Sequence, residues 1–224
     1  MAYRRTDNVI RKQAARHSAI IDSARLMAAE GGMAAVQIAP VAERAGIAAG
    51  TVYRYFPSKS ELVGAVIAAI AEREIGELRR AADAAPGPVS ALAAAIATFA
   101  ARALRDRRLA WAVIAEPVDP TVEALRIEYR RALAAELQKR IEAAIAASHV
   151  PRQDAALASR ALVGALLVGL IGPLAPQSST DQNEARDAVQ TLTLLSLRAL
   201  GVVDARARGL VVQTVLPVAE DASL

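Results

Sequence analysis

The chain has 224 residues, 54% hydrophobic and 22% charged, which is one or two domains with a buried core and too apolar for general disorder. It has no cysteine and only two histidines, His17 and His149, so disulfides, thiolate chemistry and a histidine-rich metal centre are excluded. The net charge is +4, yet residues 1–59 hold nine Lys and Arg against four Asp and Glu, which concentrates the basic excess on one segment and fits either a polyanion partner or a solvated basic tail.

Aromatics are only 3% and alanine is abundant, which favours helix over sheet. The first predicted helix covers residues 16–30, with Ile20, Ala24, Met27 and Ala28 on one face and Gly31-Gly32 at its end. A short helix follows over 38–45, where Pro40 falls in the first turn and costs no intrahelical bond. Gly46 makes a turn, and a second short helix over 48–56 stops at Pro57. Ser58 and Glu61 form an S-x-x-E cap that opens a longer helix to about Ala82.

Ala84-Ala85-Pro86-Gly87-Pro88 is the clearest break in the chain. Helices are then expected over 89–105 and 109–116, and over 120–148 behind an Asp119 cap with Pro120 at the first helical position. The most apolar helix spans 152–174 after Pro151. Pro173, Pro176 and the polar 177–181 stretch make a loop, from which Ser179 or Thr180 caps a last helix through Leu200. The tail, 201–224, reads as irregular, with 211–216 as a short extension or strand. The fold class is all-α, in two domains: 13–73, with a helix-turn-helix over 37–56, and a helical domain over 85–204.

The helix-turn-helix carries the function. Ala42 is small where two helices cross, Gly46 supplies the turn, and Ile38, Val41, Ile47 and Val52 form the core between them. Ala49, Gly50, Thr51, Arg54 and Tyr55 then face outward, on a first turn small enough to bring backbone close to base edges in a major groove. The Tyr53 and Tyr55 hydroxyls and the Lys59 ammonium suit flanking phosphates.

The runs Val41-Ala42-Glu43-Arg44-Ala45-Gly46-Ile47 and Gly50-Thr51-Val52-Tyr53-Arg54-Tyr55-Phe56-Pro57-Ser58-Lys59-Ser60-Glu61-Leu62 resemble the DNA-binding domain of TetR/AcrR-type transcriptional regulators. The resemblance covers residues 16–66. It implies an all-helical homodimer, each subunit joining a three-helix DNA reader to a larger ligand-binding and dimerisation domain. By position, Ala49, Gly50 and Thr51 approach bases, Tyr53, Tyr55 and Lys59 hold phosphates, and Arg54 does either. The pattern departs from the family where Ser or Thr commonly caps the second and third helices: Val36-Gln37 and Ala48 stand there. Loss of such a cap costs about 0.5–2 kcal/mol, with Gln37 left as a weak substitute for the second helix.

In the resembling family the last two helices pair with those of a second subunit. Here Leu162, Leu166, Gly169 and Leu170 share one face, as do Val189, Leu192, Leu195 and Leu200, and Gly164, Gly169 and Gly172 permit close approach; the alternative is that both helices are intramolecular core. Ligand contacts are expected among 89–148, from Phe99, Trp111, Ile114, Arg126 and Tyr129, an apolar set that suits a hydrophobic or aromatic molecule. Glu116 and His149 read as helix-end residues, with Glu116 and Arg126 orienting a ligand's polar group as the alternative. No nucleophile elbow, phosphate loop or H-E-x-x-H is present, so no catalytic residue, metal ligand or cofactor is assigned. The longest uncharged apolar run, 161–176, falls short of the roughly 20 residues that span a bilayer, and no signal sequence opens the chain, so the expected location is the cytoplasm. The expectation is a ligand-responsive dimeric repressor on a palindromic double-stranded operator. The alternative is a helical small-molecule-binding or interaction protein that no longer reads DNA.

Overall fold

The computed structural model describes residues 2–171, 175 and 182–214, and among these all regular structure is helical. In chain order the helices are α1 (Ala2–Gly31), a 3-10 turn (Met33–Ala35), α2 (Ile38–Arg44), α3 (Ala49–Tyr55), α4 (Lys59–Asp83), α5 (Pro88–Arg105), α6 (Arg107–Ile114), α7 (Pro120–Ala146), α8 (Ala155–Leu170), α9 (Gln182–Ala199) and α10 (Asp204–Gln213). Gly172, Pro173, Pro176, the 177–181 loop with its Ser179 and Thr180 caps, and residues 215–216 of the expected tail extension lie outside the described residues.

Most helix boundaries follow local chemistry. Ser58 Oγ accepts from the Glu61 amide at 3.1 Å and donates to Glu61 Oε1 at 3.2 Å, which starts α4. Asp119 Oδ1 accepts from the amides of Thr121 and Val122 at 2.9 and 3.1 Å, which starts α7. The break at 84–87 is the turn between α4 and α5. Three boundaries differ from expectation. α1 begins at Ala2 rather than Arg16, because no Gly or Pro interrupts the run ahead of it. α8 begins at Ala155, where Asp154 accepts from the Leu157 amide at 2.9 Å, and ends at Leu170. The tail after Gly201 is helical over α10, which buries Ala207 and Val211.

The described chain forms two compact units. One takes residues 1–71 and 108–127, the other 72–107 and 128–224. In the first, Ile20, Ala24, Val41, Val52, Leu62, Val66 and Ile67 form the core. In the second, α5 packs against α8, α9 and α10, and its alanines at 91, 93, 95, 97 and 100 let those helices approach closely. Leu162, Leu166 and Leu170 of α8, Val189 of α9 and Leu200 just beyond its end, residues expected to face a second subunit, are buried within this unit. Apart from Ser159 and the exposed Arg160, α8 is apolar, so periodicity finds a face without saying which way it turns. The face left exposed is Leu157, Arg160, Ala161, Gly164, Ala165 and Val168, with Leu195 exposed on α9.

Candidate nucleic-acid interface

The reader is built from α1, α2 and α3. α2 ends in a Schellman turn: Gly46, at φ 67°, donates to Glu43 O at 3.1 Å, and Ile47 donates to Ala42 O at 3.0 Å. Only a residue without Cβ adopts this φ readily, which fixes the angle at which α3 leaves. α3 buries Val52 and, just beyond its end, Phe56. This leaves Gly50, Tyr53 and Arg54 exposed and Ala49, Thr51 and Tyr55 half-buried, with Lys59 exposed at the start of α4. The seven sequence-assigned DNA contacts therefore lie on one short stretch whose inward positions hold the core. A bidentate Arg44–Glu30 pair at 2.6 and 2.8 Å ties α2 to α1, and the guanidinium holds the Glu30 carboxyl below its usual range. The His17 ring of α1 stands 5.1 Å from Phe56 and 6.1 Å from Tyr55, centre to centre.

Neither α2 nor α3 has a side-chain cap. Gln37 does not substitute at α2: its amide donates instead to Ala34 O at 3.0 Å.

An unexpected residue joins this unit. Glu116, just past α6, accepts from the Met33 amide at 2.8 Å and from the Ala34 amide at 3.1 Å. These are the first amides of the 3-10 turn linking α1 to α2, and they have no local side-chain cap. The carboxylate lies against Gly32, at φ 77°, where a Cβ would stand 2.6 Å from Glu116 Oε2. Arg126, buried on α7, holds Glu116 in turn: it donates to the Glu116 carbonyl and, at 2.5 Å, to Ala112 O. A second tie joins Ser60 of α4 to the Asp119 cap at 2.5 Å. The sequence shows Glu116 and Asp119 only as helix-end residues, because their partners lie 83 and 59 positions away.

The sequence-assigned ligand contacts divide between the units. Trp111 is part-exposed and Ile114 buried on α6, and Arg126 is engaged with the Ala112 and Glu116 carbonyls, all in the first unit. Phe99 and Tyr129 are buried in the second, where burial pushes the Tyr129 hydroxyl above its usual range beside the Glu74–Arg102 pair. Among the described residues no group of three His, Asp or Glu is placed to hold a metal ion, and no helix is long and apolar enough to cross a membrane.

Residues 20–66 match the model for bacterial regulatory proteins of the tetR family. The chain is 48% identical over 61 residues to the HTH-type transcriptional repressor KstR of Rhodococcus jostii (strain RHA1), a match covering 27% of this chain and 29% of that protein. The likeness thus spans under a third of that relative's length. Over the whole fold, the chain is similar to the crystal structure of RolR in complex with resorcinol, with a TM-score of 0.67 at 23% identity over 93% of this chain and 98% of that one. It is also similar to the transcriptional regulator FadR of Bacillus subtilis in complex with stearoyl-CoA, with a TM-score of 0.60 at 18% identity over 88% and 98% of the two chains. At these identities the two structures establish the fold.

Proposed function

We propose that the chain is a ligand-responsive, dimeric DNA-binding repressor of the tetR family acting in the cytoplasm, a reading supported by the match over residues 20–66 and the likeness to KstR. The observation that carries this reading is α3: its inward residues are core, and Gly50, Tyr53 and Arg54 stand exposed beside Lys59 in the basic part of the chain. Ala49, Gly50 and Thr51 approach base edges, and Tyr53, Tyr55 and Lys59 hold phosphates, with Arg54 serving either role. The dimer forms through α8 and α9, on the exposed Leu157–Val168 stripe, and the operator is accordingly a palindrome. The effector is a hydrophobic or aromatic small molecule. RolR and FadR were each crystallised with a ligand of that general kind, resorcinol and stearoyl-CoA. Within the second unit its proposed contacts are Phe99 and Tyr129. Effector binding favours a state with lower operator affinity and so shifts the population off DNA.

The test is selection of bound duplexes from a random pool at two salt concentrations. An inverted repeat is the expected product. Tyr53→Phe and Lys59→Ala then weaken binding to all sequences alike, and Lys59→Ala lowers the salt slope by about 1. One observation favours the second reading, a helical ligand-binding protein without DNA recognition: α2 and α3 both lack a side-chain cap. Failure to recover any duplex at low salt, with the chain folded, selects that reading.

A further inference from the structure

We propose that the exposed N-terminal turns of α1 form a second DNA-docking surface, seated on the phosphate backbone beside the segment that α3 reads. This rests on the DNA-binding reading above. α1 is one continuous helix from Ala2, yet its first buried residue after Asn8 is Ile20, and every residue from Asn8 to Ala19 is exposed. The exposed turns are not aimed at random. Val9, Gln13 and Arg16 precede Ile20 by eleven, seven and four positions, so they continue the stripe that Ile20 and Ala24 bury in the reader's core. Lys12 and His17 flank that stripe. From Ile20 onward α1 packs against the 3-10 turn and α2, whereas Val9, Gln13 and Arg16 on the same face are exposed.

Two observations identify the occupant. On and beside that stripe, residues 8–19 carry Lys12 and Arg16 and no acid. Duplex DNA presents one phosphate charge per about 1.7 Å of axis and complements that surface. A second copy of the same arm would oppose like charges. The arm's root also adjoins the proposed interface, since His17 packs on Tyr55 and Phe56 at the end of α3. A polar helix of this length is marginal in isolation. Here it propagates from the buried part of α1, so it reaches DNA already ordered.

The experiment measures the affinity of the full chain, against log salt, for the duplex recovered by selection. Lys12→Ala/Arg16→Ala is expected to lower the slope by about 1.8 and weaken binding at least tenfold at low salt, by about 0.9 per phosphate contact. Lys139→Ala/Arg206→Ala removes the same charge from the second unit and is expected to leave the slope unchanged. Ala14→Pro keeps every charge but breaks the helix ahead of the core, and it too should weaken binding while thermal stability holds. Unchanged affinity for Ala14→Pro, or an unchanged slope for Lys12→Ala/Arg16→Ala, overturns the proposal. A changed oligomeric state with an unchanged slope also overturns it, by assigning the arm to a second copy. If the unmodified chain binds no duplex, the DNA-binding reading itself has failed, which the first measurement shows before any variant is made.

Discussion

The Glu116 carboxylate caps the Met33 amide at 2.8 Å and so ties the end of α6 to the turn that joins α1 to α2. Through its own backbone carbonyl, Glu116 is held by Arg126 of α7. The unit that holds the helix-turn-helix therefore also includes α6 and the start of α7. Residues 108–127 belong to the same compact unit, and Glu116 is where their position meets the backbone just ahead of α2.

Removing that carboxylate leaves the Met33 and Ala34 amides without their acceptor. Glu116→Ala is expected to destabilise the fold by about 1–3 kcal/mol, the range for an unsatisfied, partly buried donor. Glu116→Gln, which keeps one acceptor oxygen, should cost less. Urea denaturation of both variants at unchanged m-value is the measurement.

Gly32 and Gly46 both have positive φ, 77° and 67°, but only Gly32 has a neighbour in the way. Gly46→Ala is expected to cost about 1–2 kcal/mol of backbone strain alone. Gly32→Ala should cost more, because its Cβ meets Glu116 Oε2. In the Gly32→Ala/Glu116→Ala double variant the clash is gone, so the two losses should sum to more than the measured total. Strict additivity in that cycle would show that Glu116 yields freely.

Asp119 has its carboxyl pKa held below the usual value of 3.8, first by the Ser60 hydroxyl and then by the Val122 amide. A depressed carboxyl stabilises the fold above its ordinary pKa, and that contribution disappears as pH falls through the lowered value. Ser60→Ala is expected to move the Asp119 titration midpoint upward. The stability gap between variant and parent should be present at neutral pH and close in acid. NMR titration of the side-chain carboxyl, with denaturation at several pH values, follows both.

Gly164 sits on the exposed stripe of α8, and a Cβ there meets nothing within 4 Å. Gly164→Leu should therefore leave subunit stability unchanged or raise it by up to about 1 kcal/mol through helix propensity. It should also weaken a dimer that depends on close helix approach. Val168→Glu, at a position 54% exposed, is expected to dissociate it. Sedimentation velocity reads both, and dimers unaffected by either change would move the interface off α8.

Local chemistry sufficed for much of this protein. The Ser58–Glu61 cap, Asp119 before Pro120, the Gly46 turn and the spacing of Val41, Val52 and Phe56 are short-range relations, and they placed the reader helices and the residues α3 exposes. Periodicity also found apolar faces on α8. It was silent on their direction, because Leu166 and Val168 are equally apolar and only packing against α5 and α9 determines that the first is buried and the second is not. The Glu116–Met33 bond joins residues 83 positions apart, and nothing near either residue marks the other. That the reader unit includes residues 108–127, and that the upper turns of α1 extend its core stripe into open solvent, was decided by tertiary structure: both depend on which surfaces the folded chain covers, and hydrophobic pattern records only that a surface prefers to be covered.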